Sequence, residues 1–158
     1  MSFNITSAYP ALSAKQAVSY SSQSPLAQHI MELNHTLRED LLAQPYMTYM
    51  IAPNEGRSLL GHLNKLEQLA FLTRALSRQS SRKPETLERS IQAIFDELIA
   101  MQKSLDLDQC PVLTELLDSL YLAIEERTRD TLDVFIETLL DLRNTWSHAI
   151  SVVAKAPI

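Results

Sequence analysis

From Pro25 onward, apolar residues recur at steps of three and four along most of the chain. This spacing is typical of helices that bury one face. The longest run extends from Thr131 to Val153, with Asp130 placed to act as an N-cap. Its apolar stripe is Leu132, Phe135, Ile136, Leu139, Leu142, Trp146, Ala149, Ile150 and Val153. Because polar residues occupy the opposite side, we predict a long helix that forms one wall of a helical bundle.

Prolines divide the rest of the chain into further helical stripes. Proline is tolerated in the first turn of a helix but breaks its interior, so these prolines indicate helix starts and stops. The stripes follow Pro25 (Leu26, Ile30, Leu33, Leu37, Leu41), Pro53 (Leu59 to Leu76), Pro84 (Leu87 to Leu105) and Pro111 (Leu113 to Ile124). No segment alternates with period two, and the connections are short. We therefore predict an all-α fold: an antiparallel up-and-down bundle of four to five helices, in one domain over residues 25–155.

Two stretches do not follow the helical pattern. Residues 1–24 contain seven serines, a single charge and only scattered apolar residues, which predicts an extended or mobile segment. Residues 42–51, LAQPYMTYMI, are rich in Met and Tyr and nearly free of charge. They could cover one end of the bundle, or Tyr46, Met47, Tyr49 and Met50 could form an adaptable binding surface.

Composition narrows the possible partners. A formal charge of -5 and a pI near 5.3 disfavour a nucleic-acid partner. One basic cluster spans a predicted turn and contains Arg74, Arg78, Arg82, Lys83 and Arg89, without interleaved aromatic residues. A single cysteine, Cys110, favours a reducing compartment, and no uncharged apolar run approaches the length of a membrane span. We expect a cytoplasmic protein without membrane insertion.

Candidate chemistry is sparse. Glu32 and His35 form one Glu-x-x-His pair, but a di-iron bundle site requires two such pairs and two further glutamates. The other histidines have no ligand-like spacing, and neither a phosphate loop nor a nucleophile elbow is present. We therefore expect no catalytic residue, metal or cofactor, and a protein that is not an enzyme.

The C-terminal half, from Leu113 to Ile150, resembles the flagellin export chaperones (the FliS family). The family has a leucine-tyrosine pair in its penultimate helix, an acidic break, and a leucine-arginine, two residues, tryptophan pattern in its last helix. The matching residues here are Leu120, Tyr121, Asp130, Leu142, Arg143 and Trp146. In the helix before these, the matching residues are Ala93, Ile94, Glu97, Leu98, Leu105 and Asp106.

The N-terminal part resembles the same family. In the family, an alanine-tyrosine pair, a valine nine residues after the tyrosine and a serine-rich stretch lead into an apolar helix. They are represented here by Ala8, Tyr9, Val18, Ser21 and Ser22, followed by Leu26 to Met31. The chain departs from the family at residues 31–33, which replace an aromatic residue followed by an aspartate-glycine pair. It also has an additional stretch within residues 45–80.

The resemblance implies a cytoplasmic chaperone that binds the disordered C-terminal helices of flagellin for the flagellar type III export apparatus, whose components are further possible partners. It implies partner-binding roles for Tyr9, Val18, Leu26, Ile30, Met31, Tyr121 and Trp146. The N-terminal segment would then be either a removable cover anchored by Tyr9 and Val18 or a simple tail. Core packing is the competing role for Tyr121 and Trp146. The alternative function is a helical interaction module whose apolar surface is covered by a second copy, as a homodimer.

Overall fold

The computed structural model describes residues 24–52, 56–79 and 84–155, and these residues contain helices and no strand. The helices are α1 (Pro25–Ala43), α2 (Met47–Ile51), α3 (Gly56–Arg78), α4 (Pro84–Lys103), α5 (Pro111–Glu126) and α6 (Arg129–Lys155), with a 3-10 turn at Leu107–Gln109. The predicted all-α bundle is confirmed. Five of the helices are long, and the short α2 lies in the Met- and Tyr-rich stretch.

Most helix starts lie where the prolines predict them. In α1, Pro25 occupies the first turn, and the Ser24 hydroxyl accepts the N–H of Ala27 at 3.0 Å. The predicted start of the last helix is wrong by two residues. The hydroxyl of Thr128, rather than Asp130, accepts a first-turn N–H, that of Thr131, at 3.1 Å. This cap allows α6 to begin at Arg129.

Helices α3, α4, α5 and α6 form an antiparallel bundle. Near the start of α3, His62 contacts Glu97, close to the end of α4, whereas Thr73, further along α3, contacts Ser90, near the start of α4. The same reversed order of contacts relates α4 to α5 (Glu88 with Arg127, Gln102 with Asp118) and α3 to α6 (Asn64 with Arg143, Arg74 with Asp133). Consecutive helices therefore alternate in direction, and α6 returns to pack on α3.

The first helix departs from this order. We expected sequential helices to be neighbours, but α1 packs mainly on α5 and α6 rather than on α3. Asn34 of α1 donates to an oxygen of Asp141 in α6 at 2.8 Å. The chain reaches α3 through α2, which contacts the 3-10 turn, and the Asp106 N–H donates to the Ile51 carbonyl oxygen. The intervening α2 segment is thus the reason that α1 and α3 need not be adjacent.

The core is centred on α6, which contacts α1, α3 and α5. Trp146 and Phe135 are the two largest fully buried side chains. Val134, Thr138 and Thr145 are also buried, although they lie outside the predicted stripe. Because three helices surround α6, more than one of its faces is covered.

The interface between α3 and α4 contains buried polar groups. Glu97 is 8% exposed, contacts Nδ1 of His62, and lies 3.2 Å from Nζ of Lys65. Burial raises the pKa of this carboxyl, but the hydrogen bonds and charges of His62 and Lys65 outweigh this effect and lower the pKa below its ordinary value. Further along the same interface, Thr73 donates to Ser90 at 2.9 Å. These pairings satisfy groups that would be costly to bury alone.

We expect Trp146→Ala to lower the free energy of unfolding by about 3 to 5 kcal/mol, because it leaves a large cavity in the core. Trp146→Phe should cost less, since it keeps one ring and removes an indole N–H that has no acceptor among the described residues. Urea denaturation measures both. Val152→Ala, at an exposed position on the same helix, is the control. A loss below about 1 kcal/mol for Trp146→Ala would contradict its place in the core.

Glu97→Gln should destabilise the protein by about 1 to 3 kcal/mol at neutral pH, because a buried charged hydrogen-bond acceptor is lost. Since the folded-state pKa is lowered, the stabilisation by ionised Glu97 is present at pH values above its unfolded-state pKa. It is lost as the pH falls through the lowered folded-state pKa. Urea denaturation across this acid range should show the two proteins converging. Glu137→Gln, on the exposed side of α6, is the matched control. A difference that persists unchanged in acid would refute the role of the ionised carboxyl.

Candidate functional site

The predicted partner-binding residues fall into three groups. Tyr9 and Val18 lie outside the described residues. Ile30 and Trp146 are fully buried, whereas Leu26 is half-buried and packs against the core. In this arrangement Ile30 and Trp146 present no side-chain surface to a partner, and direct contact with them would require the bundle to open.

Tyr121 and Met31 complete the predicted set. The ring of Tyr121 lies 4.4 Å, centroid to centroid, from that of Phe95, and this tilted pair joins α5 to α4. Tyr121 is half-buried, so part of its ring remains accessible. Met31 is 41% exposed and lies one residue after the buried Ile30. Of the described predicted residues, Met31 is therefore the most accessible.

Among the described residues, exposed apolar side chains are concentrated at α2 and at Tyr46, the residue just before it. Tyr46 is 59% exposed, Tyr49 is 44% exposed and Met50 is 52% exposed. The inward residues of the same segment are buried: Thr48, whose hydroxyl donates to the Pro45 carbonyl at 2.8 Å, with Ile51 and Ala52. Residues 42–51 thus cover the end of the bundle and also present Tyr46, Tyr49 and Met50 outward. The prediction is wrong for Met47, which is half-buried and packs against the core.

A further exposed apolar side chain lies at the end of α1. Leu42, in the last turn of α1, is exposed, and it precedes the Pro45 turn that leads to Tyr46. We call Leu42, Tyr46, Tyr49 and Met50 the α1–α2 apolar surface. Met31 lies three helical turns before Leu42, on the same side of α1. The spacing of apolar residues did not identify Leu42 or Met31, because both lie off the buried stripe.

A second feature combines residues that the sequence does not place together. The predicted basic cluster is divided: Arg74 and Arg78 of α3 lie beside Arg127 and Arg129 at the α5–α6 connection. Arg82 and Lys83 lie outside the described residues. These four arginines line a cleft of about 350 Å³. No sequence pattern indicated this grouping, because it depends on the packing of α3 against α6.

The side chains that could bind a metal ion or act as a nucleophile are dispersed. Glu32 and His35 are both exposed on α1, and the described ranges contain no group of three or more His, Cys, Asp or Glu side chains placed to hold a metal ion. Cys110 is buried before α5, and burial raises the pKa of its thiol. It is therefore a poor nucleophile near neutral pH. Within the same ranges, no helix has the length and apolar character needed to cross a bilayer.

Comparison of the chain with protein-family models, with curated proteins and with solved structures found no match. The described residues offer two candidate sites: an apolar surface at one end of the bundle and an arginine-lined cleft between α3 and α6.

Proposed function

We propose that this protein is a cytoplasmic chaperone that binds the C-terminal segment of flagellin and keeps it competent for export by the flagellar type III apparatus. The observation that supports a protein client is the α1–α2 apolar surface. Tyr46, just before α2, and Tyr49 and Met50 on α2 are exposed, whereas Thr48 and Ile51 of the same segment are buried. The choice of flagellin as the client rests on the resemblance carried by Leu120, Tyr121 and Trp146.

The surface suits an amphipathic client. A disordered segment that folds into a helix on binding presents apolar residues at i, i+3, i+4 and i+7, and these can pack on a partner's apolar surface. Methionine is flexible and polarizable, and tyrosine combines an apolar ring with a polar hydroxyl. Met50 with Tyr46 and Tyr49 can therefore accommodate a client helix without a tightly shaped pocket.

The residues that carry the resemblance to the flagellin export chaperones have a structural role in this proposal. Leu120 and Trp146 are fully buried, and Tyr121 packs on Phe95. They hold α5 and α6 in place and so maintain the shape of the bundle that carries the surface. The client would contact the accessible residues, Met31 and Leu42 among them. Such a function requires no catalytic group or cofactor.

The proposal is tested by measuring binding of the full-length protein to flagellin from the same organism by pull-down and calorimetry. We expect binding to intact flagellin and loss of binding when the C-terminal segment of flagellin is removed. Equal binding to the truncated flagellin would place the contact elsewhere on the client. Absence of binding to intact flagellin would reject the proposed client.

Replacement of the three exposed residues at and just before α2, Tyr46→Ser with Tyr49→Ser and Met50→Ser, tests the surface itself. Flagellin binding should fall at least about tenfold with little change in melting temperature, because these side chains are exposed. Leu72→Ser is the matched control: this residue is also exposed, but its neighbour Thr73 contacts Ser90 near the start of α4, remote from α2.

The same triple variant distinguishes the chaperone from the alternative function, a dimerisation module. The α1–α2 surface could instead be covered by a second copy of the chain. Sedimentation would then show a concentration-dependent dimer that dissociates in the triple variant while flagellin binds neither protein. That result would favour the dimerisation module over the chaperone.

A further inference from the structure

The cleft between the C-terminal half of α3 and the start of α6 concentrates positive charge. Its described lining includes Arg74, Arg78, Arg127 and Arg129, with Leu132 and one acidic residue, Asp133. We call it the arginine cleft. Four guanidinium groups thus face one carboxylate within the described lining, in a chain whose formal charge is -5. The excess of positive charge is local and opposite in sign to that of the whole chain.

The arginines are only partly neutralised by the protein itself. Asp133 lies 3.4 Å from Nη1 of Arg74 and 3.8 Å from Nη2 of Arg78, so one carboxylate serves two guanidinium groups. Arg74 also lies over the ring of Phe71, 5.1 Å from its centroid. Because each guanidinium carries five N–H donors, spare donors remain after these contacts.

The other two arginines come from the α5–α6 connection. Arg127 pairs with the exposed Glu88, and Arg129 has no carboxylate within 4.0 Å among the described residues. Arg127 also has a positive φ of 58° at the C-cap of α5. Glycine usually occupies such a left-handed position, because a side chain there is strained. Arg127 therefore lines the cleft from a backbone conformation that costs energy for a residue with a side chain.

We propose that the arginine cleft docks an acidic segment of a protein partner. Charge complementarity requires an anion, and the donors available are side chains spread over two parts of the fold. The Thr128 hydroxyl accepts the Thr131 N–H, so the start of α6 is already capped by the protein. This differs from phosphate sites, where free N–H groups at a helix start hold the ligand. This proposal does not depend on flagellin being the client.

Two further observations favour a peptide over other polyanions. The described lining contains no aromatic residue on which a nucleic-acid base could stack, and the ring of Phe71 nearby is already covered by Arg74. Asp133, inside the cleft, would repel a compact dianionic phosphate, whereas carboxylates spaced along a peptide can pair with Arg78, Arg127 and Arg129 and avoid it. Arg78 and Arg127 are about half exposed, so an incoming chain can reach them.

The test uses the full chain and a fluorescent oligoglutamate peptide, with binding measured by anisotropy at low ionic strength. The double variant Arg78→Gln with Arg129→Gln should weaken binding about tenfold, because two partly exposed charge pairs are lost. Added salt should weaken the wild-type interaction, since exposed charges are screened. Arg38→Gln, which removes an exposed arginine on α1, should leave the affinity unchanged. Equal losses for the double variant and Arg38→Gln would overturn the proposal.

The variant Arg127→Gly distinguishes a ligand-binding role of Arg127 from a purely structural one. Glycine relieves the positive φ, so the melting temperature should stay the same or rise while affinity for oligoglutamate falls. An unchanged affinity would remove Arg127 from the site.

Inorganic pyrophosphate and a single-stranded oligonucleotide are the competing probes. Tighter binding of either one than of oligoglutamate, lost in the double variant, would overturn the assignment to an acidic protein segment.

Discussion

Burial of α6 among three other helices is the constraint on which the rest of the structure depends. Apolar burial is the dominant favourable term in folding, and the two largest buried side chains, Trp146 and Phe135, both belong to this helix. Helices α1, α3 and α5 must therefore be arranged so that each covers a different part of it. The antiparallel order from α3 to α6 achieves this with short connections, and α1 occupies the side that remains.

A helix surrounded in this way limits where polar groups can lie. Asp141 and Asp133, on the rim of α6, are paired with Asn34 of α1 and with Arg74 of α3. Between α3 and α4, the buried Glu97 is held by His62 and Lys65. These contacts are directional, so they favour one register between neighbouring helices in a way that apolar contact alone does not. The polar contacts thus complement a core that is built mainly from leucine, isoleucine and alanine around Trp146 and Phe135.

The two surfaces proposed for partners lie at different places and differ in chemistry. The α1–α2 apolar surface exists because the chain must pass from α1 to α3 across one end of the bundle, and a single short helix cannot bury all of its large side chains. The arginine cleft exists because α6 packs antiparallel to α3, which brings the α5–α6 connection to the last turns of α3. The α1–α2 apolar surface suits contact with apolar side chains, and the arginine cleft suits pairing with negatively charged groups. A partner could therefore engage either without competing for the other.

The sequence by itself determined the helices. Three- and four-residue spacing located all five long elements, prolines marked most of their starts, and the predicted stripes of α3 and α5 are largely buried. These features are local, because helical periodicity and proline geometry act within a few residues. Only the tertiary structure decided that α1 packs on α5 and α6, that Thr138 and Thr145 are buried, and that Arg74 lies beside Arg127. These outcomes depend on which helices meet, and residues distant in the chain carry no local signal of that choice.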